Sequence, residues 1–319
     1  LRRSRSSRSQ PDRSLWVPEC HHSPMPPDPP REQAPDDAVV DYLDARDRDE
    51  DEYWRAILDG DIRMAPSSRL GRAVFRHLPS EPRCKWCYAP YGAPFGPLLG
   101  RLGFGRWDKN PTLCNTCMNV MEEHQGGAEV ALAVMFADLR GSTELAASMS
   151  AGAYRRLLNT YYGIAGHAVQ RRGGIVDKYL GDGVLALFLP GYCDGEATSV
   201  AVEAASGILE GVRDHRDLPA DQRPLPVGVG IHYGEAYVGI VGRAGQPTDF
   251  TALGDAVNLA ERVSSSAAAG ELLVSDAAMD RLPARPDRAE PRELELKGVA
   301  EPVLAWSMRP AAREVATGR

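Results

Sequence analysis

The chain has 319 residues, 43% of them hydrophobic, and a formal net charge of −7. At about 100–200 residues per domain this leaves room for two domains and at least one sizeable core. The longest apolar runs, Val130–Ala137 and Val184–Leu189, stop far short of the roughly 18 residues a membrane-spanning helix needs, so a soluble, cytoplasmic chain with no membrane partner is expected. The charge is lopsided, with 13 acidic and 4 basic residues between Asp28 and Asp61. No clustered basic face of the kind that binds nucleic acid results, and none is expected as a partner.

Residues 1–37 are Arg/Ser-rich and then Pro-rich, a composition that cannot bury enough apolar surface to order itself, so a disordered tail is expected. The chain opens on Leu1, and Met25 offers an alternative start. Asp37–Asp59 reads as a helix with a broken apolar stripe of Val40, Leu43, Trp54, Ile57 and Leu58.

Two C-x-x-C pairs follow, Cys84-Lys-Trp-Cys87 and Cys114-Asn-Thr-Cys117, separated by a loop rich in Gly and Pro. Four thiolates at this spacing suit tetrahedral coordination, as in zinc ribbons, so a structural Zn²⁺ on Cys84, Cys87, Cys114 and Cys117 is the first reading. Iron, as a single ion or an Fe–S cluster, is the alternative, and metal-free thiol switching the third. Trp86, Tyr88, Phe95, Phe104 and Trp107 are expected to form a small core around the metal, while Cys20 and Cys193 read as free thiols. Residues 38–125 are thus expected to be an acidic helix plus a four-cysteine, zinc-ribbon-like metal-binding module. Gly126-Gly127 marks the hinge into a second domain, 126–319.

There the pattern changes. Val130–Phe136 reads as a buried strand and Ala153–Arg172 as a helix ended by Gly173-Gly174. Ile175–Leu180 and Val184–Leu189 read as strands joined through Gly181-Asp182-Gly183. Glu196–Arg213 predicts a second long helix. Val227–His232 and Ala236–Val241 predict another hairpin turning at Tyr233-Gly234-Glu235, followed by a helix over Asp255–Ser265 and short strands near Leu272, Leu294 and Leu304. The order fits an α+β fold, a ferredoxin-like antiparallel sheet with helices on one face.

Three stretches carry chemistry. Phe136-Ala-Asp-Leu-Arg-Gly-Ser-Thr143 delivers Asp138 at a strand end beside a small-residue turn that opens a helix, a setting suited to Mg²⁺ and phosphate. Alone, it reads first as an Asp near a strand end followed by a Ser/Thr helix cap. Asp182, between two glycines, reads alone as a turn residue, but the fold can bring it to one edge with Asp138, as a two-metal phosphoryl site requires. In Thr248-Asp-Phe-Thr-Ala-Leu-Gly-Asp-Ala-Val-Asn-Leu-Ala-Glu-Arg262, Asn258 and Arg262 share one helix face. The plainer reading is an amphipathic helix with Val257, Leu259 and Val263 facing the core.

Together FADLRGST, DKYLGDGVLALF, VGVGIHYGEAYVGIVG and TDFTALGDAVNLAERV closely resemble the catalytic domain of class III nucleotidyl cyclases, over roughly Glu129–Trp306. The resemblance implies an adenylate cyclase that converts ATP to 3′,5′-cyclic AMP and pyrophosphate at a homodimer interface. It implies two Mg²⁺ or Mn²⁺ ions per site on Asp138, Asp182 and the Leu139 carbonyl, with Gly141, Ser142 and Thr143 as the phosphate-facing turn. Lys178 and Thr251 stand where adenylate cyclases read the adenine, Asn258 and Arg262 where they orient the ribose and stabilise the α-phosphate, and Lys297 where a lysine meets the terminal phosphates. Some relatives carry a basic residue where this chain has Gly228. A guanylate cyclase and a nucleotide-sensing module without turnover are the rival readings, and a third makes the cysteines a nucleic-acid-binding knuckle with the cyclase as passenger. The resemblance is to members with Thr at the position of Thr251, which include bicarbonate-responsive cyclases, and so implies bicarbonate as one candidate activator.

Overall fold

The structure is a computed structural model that describes residues 50–59, 74–75, 77–78, 82–123, 126–193, 196–216, 218, 223–242 and 248–309. All of them fall within the compact unit Asp44–Arg319. The predicted tail, and the part of the Asp37–Asp59 helix before residue 50, lie outside the described residues.

Helix α1 covers residues 50–58, and its Trp54, Ile57 and Leu58 are buried as their spacing predicts. A short helical segment, Gly96–Leu99 running into Gly100–Phe104, and helix α2 (Asn115–Glu123) complete the amino-terminal part. The sheet then begins with β1 (Gly127–Leu139), followed by α3 (Ser142–Ala147), α4 (Ala151–Gln170), β2 (Ile175–Leu180), β3 (Gly183–Phe188) and α5 (Ala197–Asp214). After these come β4 (Val227–Val241), β5 (Asp249–Leu253), α6 (Asp255–Ser265), β6 (Leu272–Ser275), α7 (Asp276–Met279), β7 (Glu290–Leu294) and β8 (Val303–Met308). No described helix is long and apolar enough to cross a membrane.

The helix limits follow their caps. The Ser150 side chain accepts from the Ala153 N–H to open α4, Glu196 accepts from Ser199 to open α5, and Gly173, at φ +77°, turns the chain just after α4 ends. Leu157, Tyr161, Ile164, Ala165 and Val169 form the buried stripe of α4.

The sheet runs β2-β3-β1-β4-β6-β8-β7, with β5 paired to β4. Strand β1 pairs with β4 without interruption from Gly127↔Gly239 to Leu139↔Val227. This corrects one expectation: Val227–Val241 is a single strand, and Tyr233-Gly234-Glu235 is not a turn. Gly234 is a glycine for a different reason, since a Cβ there would meet the Ala256 Cβ and His232 Nε2 at 3.0 Å. Strand β5 lay unread inside the third motif. The α+β class holds, with the addition that β6 runs parallel to β4.

Side chains alternate along β1, so the sheet has two packed faces. Ala133, Met135, Ala137 and Leu139 meet α4 and α5 on one face. Leu132, Val134 and Phe136 share the other with Ala256 and Ala260 of α6, with α1, and with the four cysteines. Helices on one face only were expected, but the second is also covered. Each large apolar side chain fully buried there contributes about 1.5–3 kcal/mol. Gly126 and Gly127 enter this packing directly, because a Cβ on Gly239 would sit 2.2 Å from the Gly126 carbonyl oxygen.

Helix α6 lies against β4 because Gly230 has no side chain: a Cβ there would stand 2.2 Å from the Ser264 backbone nitrogen. Backbone cannot yield as a side-chain tip can. Gly230→Ala is therefore expected to destabilise the chain by about 3 kcal/mol and lower the thermal midpoint by roughly 6–12 °C. An unchanged midpoint in differential scanning calorimetry would contradict this packing.

Candidate active site and four-cysteine cluster

Two groups of charged residues come together on the chain. The first stands at the end of β1. Asp138 opposes Gly183 on β3 and Gly228 on β4, and Asp182 lies in the turn before Gly183. That turn is held from several sides. Gly181 adopts φ +66°, Tyr162 of α4 donates its hydroxyl to the Gly181 carbonyl, and the Tyr162 ring stacks on Tyr179 at 4.3 Å. The Leu139 N–H donates to the Asp182 carbonyl at 3.3 Å. Burial pushes the Asp138 carboxyl above the usual carboxylate range; Arg140 opposes that shift, and the charges of Asp182 and Glu261 add to it. Two oxygen-donor carboxylates crowded at a strand end fit a hard divalent cation.

Gly141, at φ +64°, caps α3, so Ser142 and Thr143 open that helix next to Asp138. Arg140, between Leu139 and Gly141, was not singled out from the sequence. Arg140 pairs with the Asp138 carboxylate at 2.6 Å and donates to the Ser264 carbonyl on α6. Its guanidinium lies directly over Gly228, where a Cβ would fall 2.4 Å from Nε. The space beside Gly228 of β4 is thus filled by a side chain from the turn that follows β1.

The second group is built on β2 and β5. A register shift between Val176 and Lys178 marks a bulge at Asp177, the device by which a strand re-aims one side chain. The Asp177 side chain is fully buried and accepts from the Thr251 hydroxyl at 2.5 Å. Lys178 pairs with Asp249 at 2.7 Å and stands 3.7 Å from Asp177. Thr251 and Lys178 were expected; their partners Asp177 and Asp249 were not. Both lie within the quoted motifs, but a strand bulge and a missed strand hid their direction.

Asn258 is exposed on α6, and Arg262 is half-buried one turn further on. The Arg262 guanidinium lies 3.6 Å from where a Cβ on Gly298 would be, which sets it beside the exposed Lys297. The two groups stand toward opposite ends of β4, Asp138 opposite Gly228 and Thr251 opposite Gly239. Asp138 has Arg140, Asp182 and Glu261 as charged neighbours, whereas Lys178 has Asp249 and Asp177.

The four cysteines do converge. Their sulfurs all lie within 4.8 Å of one another, with Cys87 and Cys114 at 3.6 Å, and none forms a disulfide. Zn–S bonds of about 2.3 Å place tetrahedral sulfurs about 3.8 Å apart, so the donor set fits such an ion. The aromatic residues around the cluster pack outward as well as inward: Trp86 lies against Tyr192 at 5.7 Å and Trp107 against Phe250 at 6.0 Å.

Residues 125–308 match the family described as "Adenylate and Guanylate cyclase catalytic domain". The chain belongs to this class III cyclase family. An adenylate cyclase of Anabaena cylindrica is 36% identical over 138 residues, 41% of this chain and 26% of that protein. The terminal-differentiation-specific adenylate cyclase of Dictyostelium discoideum is 31% identical over 137 residues, 41% of this chain and 6% of its own length. The chain thus spans about a quarter of the Anabaena protein and far less of the Dictyostelium one. Among solved structures, the adenylyl cyclase CyaB of P. aeruginosa is 30% identical with a TM-score of 0.50, covering 60% of this chain and 99% of that one. The guanylyl cyclase Cya2 is 26% identical with a TM-score of 0.53, covering 60% and 98%.

Gly228→Ala would displace Arg140 without straining backbone, because only the tip of a flexible side chain stands in the way. Gly228→Ala and Arg140→Ala are expected to lower cyclase kcat/KM by a similar factor, about 100- to 1000-fold, with little further loss in the double variant. Fully additive losses would show that the two residues act separately.

Proposed function

We propose that the chain is an adenylate cyclase, converting ATP to 3′,5′-cyclic AMP and pyrophosphate in a homodimer. The observation that carries the choice of base is the Thr251–Asp177 hydrogen bond. An ionised Asp177 can only accept, so Thr251 spends its proton there, and its oxygen is left as an acceptor. An acceptor suits the exocyclic amino group of adenine, and the Lys178 ammonium suits adenine N1. Guanine presents an N–H and a carbonyl at those edges, which leaves Lys178 facing a donor and Thr251 facing an acceptor.

In the reaction the ribose 3′-oxygen forms a bond to the α-phosphorus as the bond to pyrophosphate breaks. Asp138, Asp182 and the Leu139 carbonyl would hold two divalent ions, which supply Lewis acidity toward the phosphates. The turn at Gly141, Ser142 and Thr143 faces the phosphates, Arg140 adds positive charge beside them, and Lys297 meets their far end. Asn258 orients the ribose, and Arg262 stabilises charge developing on the α-phosphate. The cysteine cluster would hold a structural Zn²⁺ or iron, which would stabilise the segment that carries it.

The homodimer reading rests on the separation of the two charged groups within one chain and on exposed apolar residues beside the second. Tyr179 and Leu180 on β2 and Leu253 on β5 are each nearly half exposed, apolar surface that a partner chain would cover. Each site would take its carboxylates from one protomer and its base- and ribose-reading residues from the other.

Purified protein supplied separately with ATP and GTP, in Mg²⁺ and in Mn²⁺, is expected to favour cyclic AMP by about tenfold to a hundredfold in kcat/KM, the penalty of one mismatched buried polar group. Equal turnover of the two nucleotides would overturn the assignment of base.

A further inference from the structure

The loop between the two cysteine pairs enters the second charged group. We infer that Lys109, carried by the cysteine module, is a specificity-determining residue of the base pocket: it keeps Asp177 anionic, and so keeps Thr251 an acceptor, while the metal-held cysteines position the loop that delivers it. This rests on the reading of Lys178 and Thr251 as the base-reading pair.

The Lys109 ammonium contacts the Asp249 carboxylate, donates to the Phe250 carbonyl at 3.1 Å and stands 3.6 Å from Asp177 Oδ1. That oxygen is buried and has no hydrogen-bond partner among the described residues. Its charge is therefore balanced through space by two ammonium groups, Lys109 at 3.6 Å and Lys178 at 3.7 Å. Burial raises the Asp177 carboxyl; the Thr251 hydrogen bond, Lys178 and Lys109 work against that rise, and Asp249 adds to it. Lys178 must also reach the nucleotide, so Lys109 is the cation free to stay with Asp177. Without it, a buried carboxyl facing one shared lysine takes up a proton more readily. A protonated Asp177 can donate to Thr251, whose hydroxyl can then turn its own hydrogen toward the pocket and meet the guanine carbonyl.

The loop has little freedom to be elsewhere. The Lys109 carbonyl accepts from the Val176 N–H at 3.0 Å, which adds the loop to the edge of β2 just before the bulge. Gln170 donates to the Asp108 carbonyl at 3.1 Å, the buried Asn110 to the Gly173 carbonyl at 3.4 Å, and Trp107 packs edge-on against Phe250. Both cysteine knuckles grip the same loop. The Lys85 N–H, beside Cys84, donates to the Thr112 carbonyl at 2.8 Å, and Arg106 forms a β-bridge with Cys114. A metal joining Cys84 and Cys87 to Cys114 and Cys117 would fix both ends of the segment that presents Lys109.

The test is binding rather than turnover. Dissociation constants of 3′-deoxy-ATP and 3′-deoxy-GTP, which cannot cyclise, are measured by titration calorimetry, with inorganic tripolyphosphate as a probe that lacks a base. Lys109→Met is expected to reduce the adenine-over-guanine preference by about tenfold while leaving tripolyphosphate affinity unchanged, and Lys109→Arg, which keeps the charge, to retain the preference. Stripping the cysteine-bound metal by chelation under reducing conditions, followed by return of Mg²⁺, should lower the preference in the unmodified chain and change nothing further in Lys109→Met. A preference unaltered by Lys109→Met overturns the inference, provided that Thr251→Ala does alter it; if neither does, the base-reading assignment itself has failed. A preference sensitive to Lys109 but not to the metal would remove the cysteines from the account.

Discussion

The β1–β4 ribbon curls far enough for β5, which pairs with its distal half, to reach β2 on the other side of the sheet. In strand order β2 and β4 are separated by β3 and β1, yet Thr251 on β5 meets Asp177 on β2 and Asp249 meets Lys178. Closing the ribbon in this way buries Asp177, and a buried carboxylate is costly unless it is paired. Thr251, Lys178 and Lys109 share that task, so a demand of folding and the polarity of the pocket come from the same contacts. Close backbone approach explains two glycines of β4, since Ser264 of α6 lies where a side chain at Gly230 would have to be and the Gly126 carbonyl where one at Gly239 would.

The curl also separates the chemistry. Asp138 and Asp182 stay at the proximal end of the ribbon with Arg140, while the residues proposed to read the base gather where its distal half folds over. Lys178 and Asp182 are close neighbours on one strand and turn, yet their charged neighbours differ. On this account a single chain carries two half-sites that face different nucleotides, and exposed Tyr179, Leu180 and Leu253 lie where the halves would be joined.

Much of this was legible in the sequence, for physical reasons. Helix α6 was read at its observed limits, but its buried face is Ala256, Ala260, Val263 and Ser264, with Val257 and Leu259 only partly buried; the two cysteine pairs announced a cluster by spacing alone. The hairpin proposed at Tyr233-Gly234-Glu235 failed because a glycine that lets a helix approach looks, in sequence, like a glycine that makes a turn. Asp177 and Asp249 sat in plain view within the motifs, but which way a side chain points at a bulge depends on the partner strand. Lys109 was beyond reach: nothing local in the segment 106–113 says that it will dock on β2, about 65 residues further along the chain.

The division into half-sites can be measured directly. Asp138→Ala removes a metal carboxylate and Asn258→Ala a ribose contact, so each homodimer should be nearly inactive. In a mixed dimer one site carries both defects and the other carries none. With statistical exchange half of the dimers are mixed and each has one good site, so cyclic AMP formation should return to about a quarter of the unmodified rate. No recovery, with subunit exchange shown independently, would mean that catalysis lies within one chain and would contradict the account.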